Sequence, residues 1–224
     1  MRKQCSELDG RAVTLYTDDE PQILFIQPVD EHDTELLDAE IEAMRDCALP
    51  FALAAFEVRD WNRELSPWGA PPVFGKVPFG GMAEQTLSFV LDRLLPELRR
   101  RLGADMKLCI GGYSLAGLFA LWAAIRTDVF SGVAAASPSV WFPGWMEYVK
   151  ANPIQTKAVY LSLGDREERA KNPVMATVGD CILEQYALLQ ADHIVTLEWY
   201  PGSHFKDSEK RTARAFCWIA EHEK

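Results

Sequence analysis

Long apolar runs are missing from this chain of 224 residues. No window reaches the roughly 20 consecutive apolar residues that a membrane-spanning helix needs. The opening "MRKQCSELDG" has no apolar stretch behind its basic residues, so no secretory signal is expected. Excess positive charge is missing too. The formal net charge is −10, which argues against a nucleic acid or an anionic membrane as partner, because both need a basic surface that displaces counterions. The two small basic clusters, "LRRR" at Leu98 to Arg101 and "EKRTAR" near the C-terminus, read as solvated helix faces.

Paired cysteines are also lacking. Cys5, Cys47, Cys109, Cys181 and Cys217 are odd in number, scattered, and form no CxxC. That argues against a disulfide framework or a structural zinc site, and a reduced, cytoplasmic protein is expected. There is no repeat, low-complexity tract or linker, so a single domain over residues 1–224 is expected.

What is present is an alternation. Strand-like "RAVTLY", "QILFIQPVD", "FALAAFEV", "MKLCIGG", "SGVAAASPSVWF", "KAVYLSLGD" and "HIVTLEWYPG" are interleaved with helix-like segments. The helical ones are "DTELLDAEIEAMRDC", "AEQTLSFVLDRLLPELRRR", "LAGLFALWAAIR", "GWMEYVKAN", "VMATVGDCILEQYALLQAD" and "SEKRTARAFCWIAEH". Short apolar strands alternating with amphipathic helices imply an α/β fold: a mostly parallel sheet covered on both faces.

In such a sheet the chemistry collects at the carboxyl ends of the strands. Ser114 falls there, between "MKLCI" and "LAGLFALW", with Gly112 two residues before it and Ala116 two after. This is G-x-S-x-G with Ala in the last place, and small residues are what a strained nucleophile elbow demands. A serine hydroxyl needs a base. Of the four histidines, His32, His193, His204 and His222, His204 in "YPGSHF" stands just after the last strand, as the Ser…acid…His order requires, while His222 falls at the C-terminus. The acid should follow "KAVYLSL". Within "GDREER", Glu167 is favoured for its reach over the alternative Asp165. Backbone donors for an oxyanion would come from Leu115, after the nucleophile, and from Val29 or Asp30, since Pro28 has no N–H.

These residues resemble the "putative esterase" family of α/β-hydrolases, which includes enterochelin esterases and esterase D. "GYSLAGLFALWAA" is similar to its G-[HY]-S-x-[GA]-G elbow and "FSGVAAASPSVWF" to its SPS-x-W segment. "LGDREE" resembles its acid loop, "YPGSHF" its histidine loop, and "NRELSPW" its NR-x-x-[DE]L stretch. The resemblance implies an α/β-hydrolase core, a Ser-His-acid mechanism, no metal and no organic cofactor. The chain departs from the family in a short N-terminus, from which missing early strands or a missing N-terminal domain are expected. It departs also in "PVDEHD" where a Gly-containing turn is usual, and in Ala116.

The expected function is hydrolysis of a small-molecule carboxylic ester through an acyl-enzyme. Acyl transfer by the same residues and a non-catalytic binding protein stand as alternatives. The long loop Arg59 to Met82 should fringe the site. Trp61, Trp68 and Phe74 with Trp141 and Phe142 would form an aromatic wall, or simply pack the loop down. Arg59, Arg63 and Lys76 would meet an anionic or oxygen-rich acyl group, unless Arg63 is structural. Arg63, Tyr113 and Trp141 are thus the candidate substrate contacts. A homo-oligomer is compatible with all of this.

Overall fold

Eight strands form one sheet in the computed structural model, which describes residues 1–223. They are β1 (Arg2–Leu8), β2 (Arg11–Thr17), β3 (Ile23–Val29), β4 (Phe51–Glu57), β7 (Lys107–Tyr113), β8 (Gly132–Ala136), β9 (Ala158–Gly164) and β10 (Ile194–Tyr200). A separate two-stranded ribbon joins β5 (Gly69–Ala70) and β6 (Phe79–Gly80). The order across the large sheet is β1-β2-β4-β3-β7-β8-β9-β10. Strand β2 runs against both of its neighbours, and every pairing from β4 to β10 is parallel.

The central strands are apolar throughout because helices cover both faces. Every residue of β3 and of β9 is buried. On one face lie α1 (Glu31–Ala43) and α8 (Ser208–His222), where Leu37 and Met44 pack with Phe216, Trp218 and Ile219 over Phe25. On the other lie α5 (Leu115–Arg126), α6 (Trp145–Ala151), α7 (Val178–Leu189) and a helix in three parts. That last helix comprises α3 (Ala83–Phe89), a π-helical turn (Val90–Leu94) and α4 (Leu95–Leu102). Its sequence pattern predicts one uninterrupted helix. Pro96 lacks an N–H and crowds the carbonyl four residues back, and a π turn, with the Leu95 N–H on the Val90 carbonyl, relieves that crowding.

Two expectations need correction. Arg2–Leu8 forms a strand, although missing early strands were expected. Its "RKQCSEL" shows no apolar face because β1 is a mostly exposed sheet edge. The signal for it is Asp9-Gly10, a two-residue turn with φ of 50° and 77°, the positive values that a tight hairpin needs.

The second correction concerns cysteine. Cys47, just beyond α1, and Cys217 on α8 form a disulfide across 170 residues of sequence. Counting cysteines and their local spacing does not see this pair, because only the sheet topology brings α1 beside α8. Cys5, Cys109 and Cys181 are free. Among the described residues, no helix is long and apolar enough to cross a membrane.

Candidate active site

Strand β7 hands over to α5 at Ser114, whose φ of 57° and ψ of −118° are unusual for a residue with a side chain. Such a conformation costs on the order of 1–3 kcal/mol and persists only where surroundings enforce it. Here the Ser114 N–H donates to the Ala136 carbonyl at 3.0 Å, while its own carbonyl accepts from Leu118 at 3.1 Å and Ser139 at 3.0 Å. The turn is tight. A Cβ on Gly112 would lie 2.6 Å from the Cβ of Ala116, and one on Gly117 would lie 3.1 Å from the Gly112 carbonyl oxygen.

The hydroxyl so presented is 3.0 Å from His204 Nε2. His204 Nδ1 in turn is 2.7 Å from Glu167 Oε2. The other carboxylate oxygen of Glu167 accepts three bonds of 2.7 Å, from the Gly164 N–H, the Ser137 hydroxyl and Arg211 Nη2. Burial pushes the Glu167 carboxyl up. The hydrogen bond and charge of His204, the Arg211 guanidinium and the Ser137 hydroxyl outweigh it and hold the group below the usual glutamate value.

Each partner is positioned by a strand end. Gly164 closes β9, and a Cβ there would meet the Gly202 carbonyl oxygen at 2.6 Å and Glu167 Oε1 at 2.9 Å, so only glycine lets the acid fold back. Glu167 opens a 3-10 turn (Glu167–Arg169). The His204 carbonyl accepts the Tyr113 hydroxyl at 2.7 Å. Asp165, the alternative acid, faces elsewhere. Its Oδ1 accepts the Gly202 N–H at 2.8 Å and ties the acid loop to the histidine loop.

Of the backbone donors, Leu115 is the first residue of α5, so its N–H has no acceptor within the helix. Asp30 caps α1, with its Oδ1 on the Asp33 N–H at 2.8 Å, and lines the cavity that holds Ser114. Val29 is buried at the end of β3 and does not line that cavity.

Two cavities meet at His204. One, of about 170 Å³, is lined by Ser114, Tyr113, Trp61, Asp30, His32 and Asp33 among others. The second, of about 190 Å³, runs past Trp141, Glu167, Ala170, Met175 and Val178, with Arg166 and Arg169 beside them. Phe205 lines both and is 90% exposed. Burial, then the neighbouring Asp30 charge, pushes Asp33 up to about 6.

The expected substrate contacts divide. Tyr113 and Trp141 each line one of these cavities. Arg63 and Arg59 do not: they line a separate cavity of about 300 Å³ with Asp9 and Arg11. Arg63 Nε points at Met82 Sδ, 2.9 Å away, because the β5–β6 ribbon packs over its stem. The anion-binding arginines expected from that loop are therefore absent from the Ser114 cavity, and Lys76 lines neither cavity at His204. The expected aromatic wall also thins. Trp61 faces the cavity, whereas Trp68 packs against Phe142 and Tyr148 and donates its Nε1–H to the Pro143 carbonyl.

Sequence reasoning passed over Ser137, Ser139, Arg211 and Phe205. Ser137 and Ser139 flank Pro138 in the "SPS" segment. Ser137 holds the acid, and the Ser139 hydroxyl lies 3.3 Å from that of Ser114. Arg211, expected on a solvated face, is 2% exposed.

A mostly parallel sheet carrying a serine elbow after β7, an acid after β9 and a histidine after β10 defines an α/β-hydrolase. The sequence profile of a family described as "Putative esterase" matches residues 48–192, and the chain belongs to that family, as a carboxylic ester hydrolase. No curated protein sequence matches it. Among solved structures, it is similar to the siderophore hydrolase EstB from Aspergillus nidulans, at 19% identity and a TM-score of 0.74 over 97% of this chain and 94% of that one. An IroE-like serine hydrolase from Shewanella oneidensis superposes at 18% identity and a TM-score of 0.76, over 98% and 80%. The enterobactin esterase of Shigella flexneri matches at 15% identity and a TM-score of 0.69, where this chain is covered fully and spans 60% of the longer one.

Proposed function

We propose that the protein cleaves a small-molecule ester through an acyl-enzyme on Ser114. The observation that carries this is the unbroken chain from Ser114 Oγ to His204 Nε2 at 3.0 Å and from His204 Nδ1 to Glu167 Oε2 at 2.7 Å. Oγ attacks the ester carbonyl carbon as its proton passes to Nε2. The tetrahedral oxyanion is received by the N–H groups of Leu115 and Asp30, the first helped by the α5 N-terminus. His204 then gives its proton to the departing alkoxide. A water adds to the acyl carbon, its proton passes to Nε2, and the carboxylic acid leaves as Ser114 recovers its proton. Glu167 holds the imidazole with its proton on Nδ1 and stabilises the imidazolium that forms.

Tyr113, Trp61 and Trp141 shape where the acyl and alcohol parts lie, with Phe205 between the two cavities. Siderophore and enterobactin esters, after which the similar structures are named, head the substrates to screen. The cytoplasmic location expected from cysteine usage loses that footing with the Cys47–Cys217 bridge, since disulfides persist where the surroundings are oxidising.

Labelling by a fluorophosphonate probe tests the reading. The wild-type protein should be labelled and hydrolyse esters, and Ser114→Ala should do neither. Equal labelling of both proteins overturns it.

A further inference from the structure

The buried end of the Ser114–His204–Glu167 chain is a cation. Arg211 on α8 places Nη2 2.7 Å from Glu167 Oε1 and also bonds the Ser137 hydroxyl. Its guanidinium carbon sits 5.2 Å from the centre of the Tyr113 ring and 5.3 Å from that of Tyr200, so two aromatic faces hold it. It is 2% exposed, and its Nε has no hydrogen-bond partner among the described residues.

That arrangement is costly. Burying a guanidinium with one N–H unsatisfied loses hydration that a single carboxylate repays only in part. Glu167 Oε1 does not need it for satisfaction, because the Gly164 N–H and the Ser137 hydroxyl already donate to it. A neutral side chain would pack there at lower cost. What only arginine adds is a permanent charge on the far side of the acid from the histidine.

We infer that Arg211 is a positioning residue that sets the pH range of the reaction, acting through Glu167 on His204. The inference rests on the acyl-enzyme reading above. With the cation in place, Glu167 stays ionised in spite of its burial and its Oε2 remains free to accept the Nδ1 proton of His204. The cation, in contact with Glu167, also opposes any further positive charge on the Glu167–His204 pair. The other titratable or charged groups facing the pair are few. Tyr113 comes from β7 and Tyr200 from β10, Asp165, Arg166 and Arg169 from the acid loop, and Lys206 from the histidine loop. Asp30, His32 and Asp33 face His204 across the cavity. Arg211 is the charged group among them in direct contact with Glu167 on the side away from His204.

The test compares Arg211→Gln, which keeps a donor and loses the charge, with Arg211→Lys, which keeps the charge. Removing a positive charge in contact with an acid raises the pH at which its pair takes up a proton by about one unit or more. The acidic limb of kcat/KM should move up by that amount in Arg211→Gln, with KM unchanged because Arg211 lines neither cavity. In Arg211→Lys the limb should stay near its wild-type position. A uniform fall in kcat at every pH, or the same limb in both variants, overturns the inference. An NMR titration of the imidazole in the Ser114→Ala background, with and without Arg211→Gln, reads the same shift without turnover. If that midpoint moves up while the wild-type protein hydrolyses no ester, the acyl-enzyme reading fails and the charge effect stands. If it does not move, the charge effect fails.

Discussion

Gly112 and Ala116 face each other across the elbow so closely that a methyl on the first would sit 2.6 Å from the methyl of the second. The general G-x-S-x-G elbow has glycine at both places, and here one of the two has been filled. Ala116 is accommodated because Gly112 is bare.

Gly112→Ala should therefore be severe. Carbon atoms cannot share that separation, so the turn must open and Ser114 must leave its strained conformation. We expect a loss of more than 2 kcal/mol of stability, in the range of overpacked and strained sites, and loss of fluorophosphonate labelling. Ala116→Gly should cost about 1 kcal/mol or less and keep labelling. Denaturant melts with probe labelling of both variants check this.

Glu167 and Asp165 are two residues apart and do different work. Glu167→Gln removes the charge behind His204 and should lower kcat about 10³- to 10⁴-fold. Asp165→Asn keeps an oxygen for the Gly202 N–H and should cost less than tenfold. Steady-state ester turnover of the two variants decides, and the reverse ranking would move the acid to Asp165.

A stability effect is expected far from the serine. Glu40 on α1 is fully buried against Gln27, whose Nε2–H it accepts at 3.2 Å, while Glu40 Oε1 has no partner. Burial pushes its carboxyl up to about 8 from an ordinary 4.5. Between those values the folded chain holds a proton that the unfolded chain has released. Stability from this group is thus greatest below about pH 4.5 and falls as pH rises to about 8, by a few kcal/mol at most. Glu40→Gln should flatten that slope and be the more stable protein at pH 8. A pH series of urea melts would show it, and parallel slopes for the two proteins would refute it.

The Cys47–Cys217 bridge closes a long loop and should contribute about 2–5 kcal/mol. Cys47→Ser, or reductant added to the wild type, should lower the melting temperature equally. A melt unaffected by reductant would show the bridge to be absent.

Most of the sheet was legible because β3, β4, β7 and β9 are buried on both faces and therefore read as apolar runs. Strand β1 was not, since an exposed edge has no face to mark. Ser114, Glu167 and His204 could be singled out as candidates from their order at strand ends, and the fold brings them within hydrogen-bond distance of one another. Arg211 could not be: in "EKRTAR" it looks like its neighbours Lys210 and Arg214, and only the docking of α8 on the sheet buries it with Thr212 and Ala215. The bridge between Cys47 and Cys217 was hidden for the same reason, as a relation between two helices that the chain itself keeps apart.

Helix α8 is synthesised after every strand of the sheet, and it carries Arg211 and Cys217, with Ser208 at the rim of the Ser114 cavity. A nascent chain that has emerged only as far as β9 holds Ser114 but lacks Glu167, His204 and Arg211, the residues linked to it in the folded chain. Ester cleavage should therefore wait until α8 docks, and a chain truncated before Arg211 should fold poorly and hydrolyse nothing.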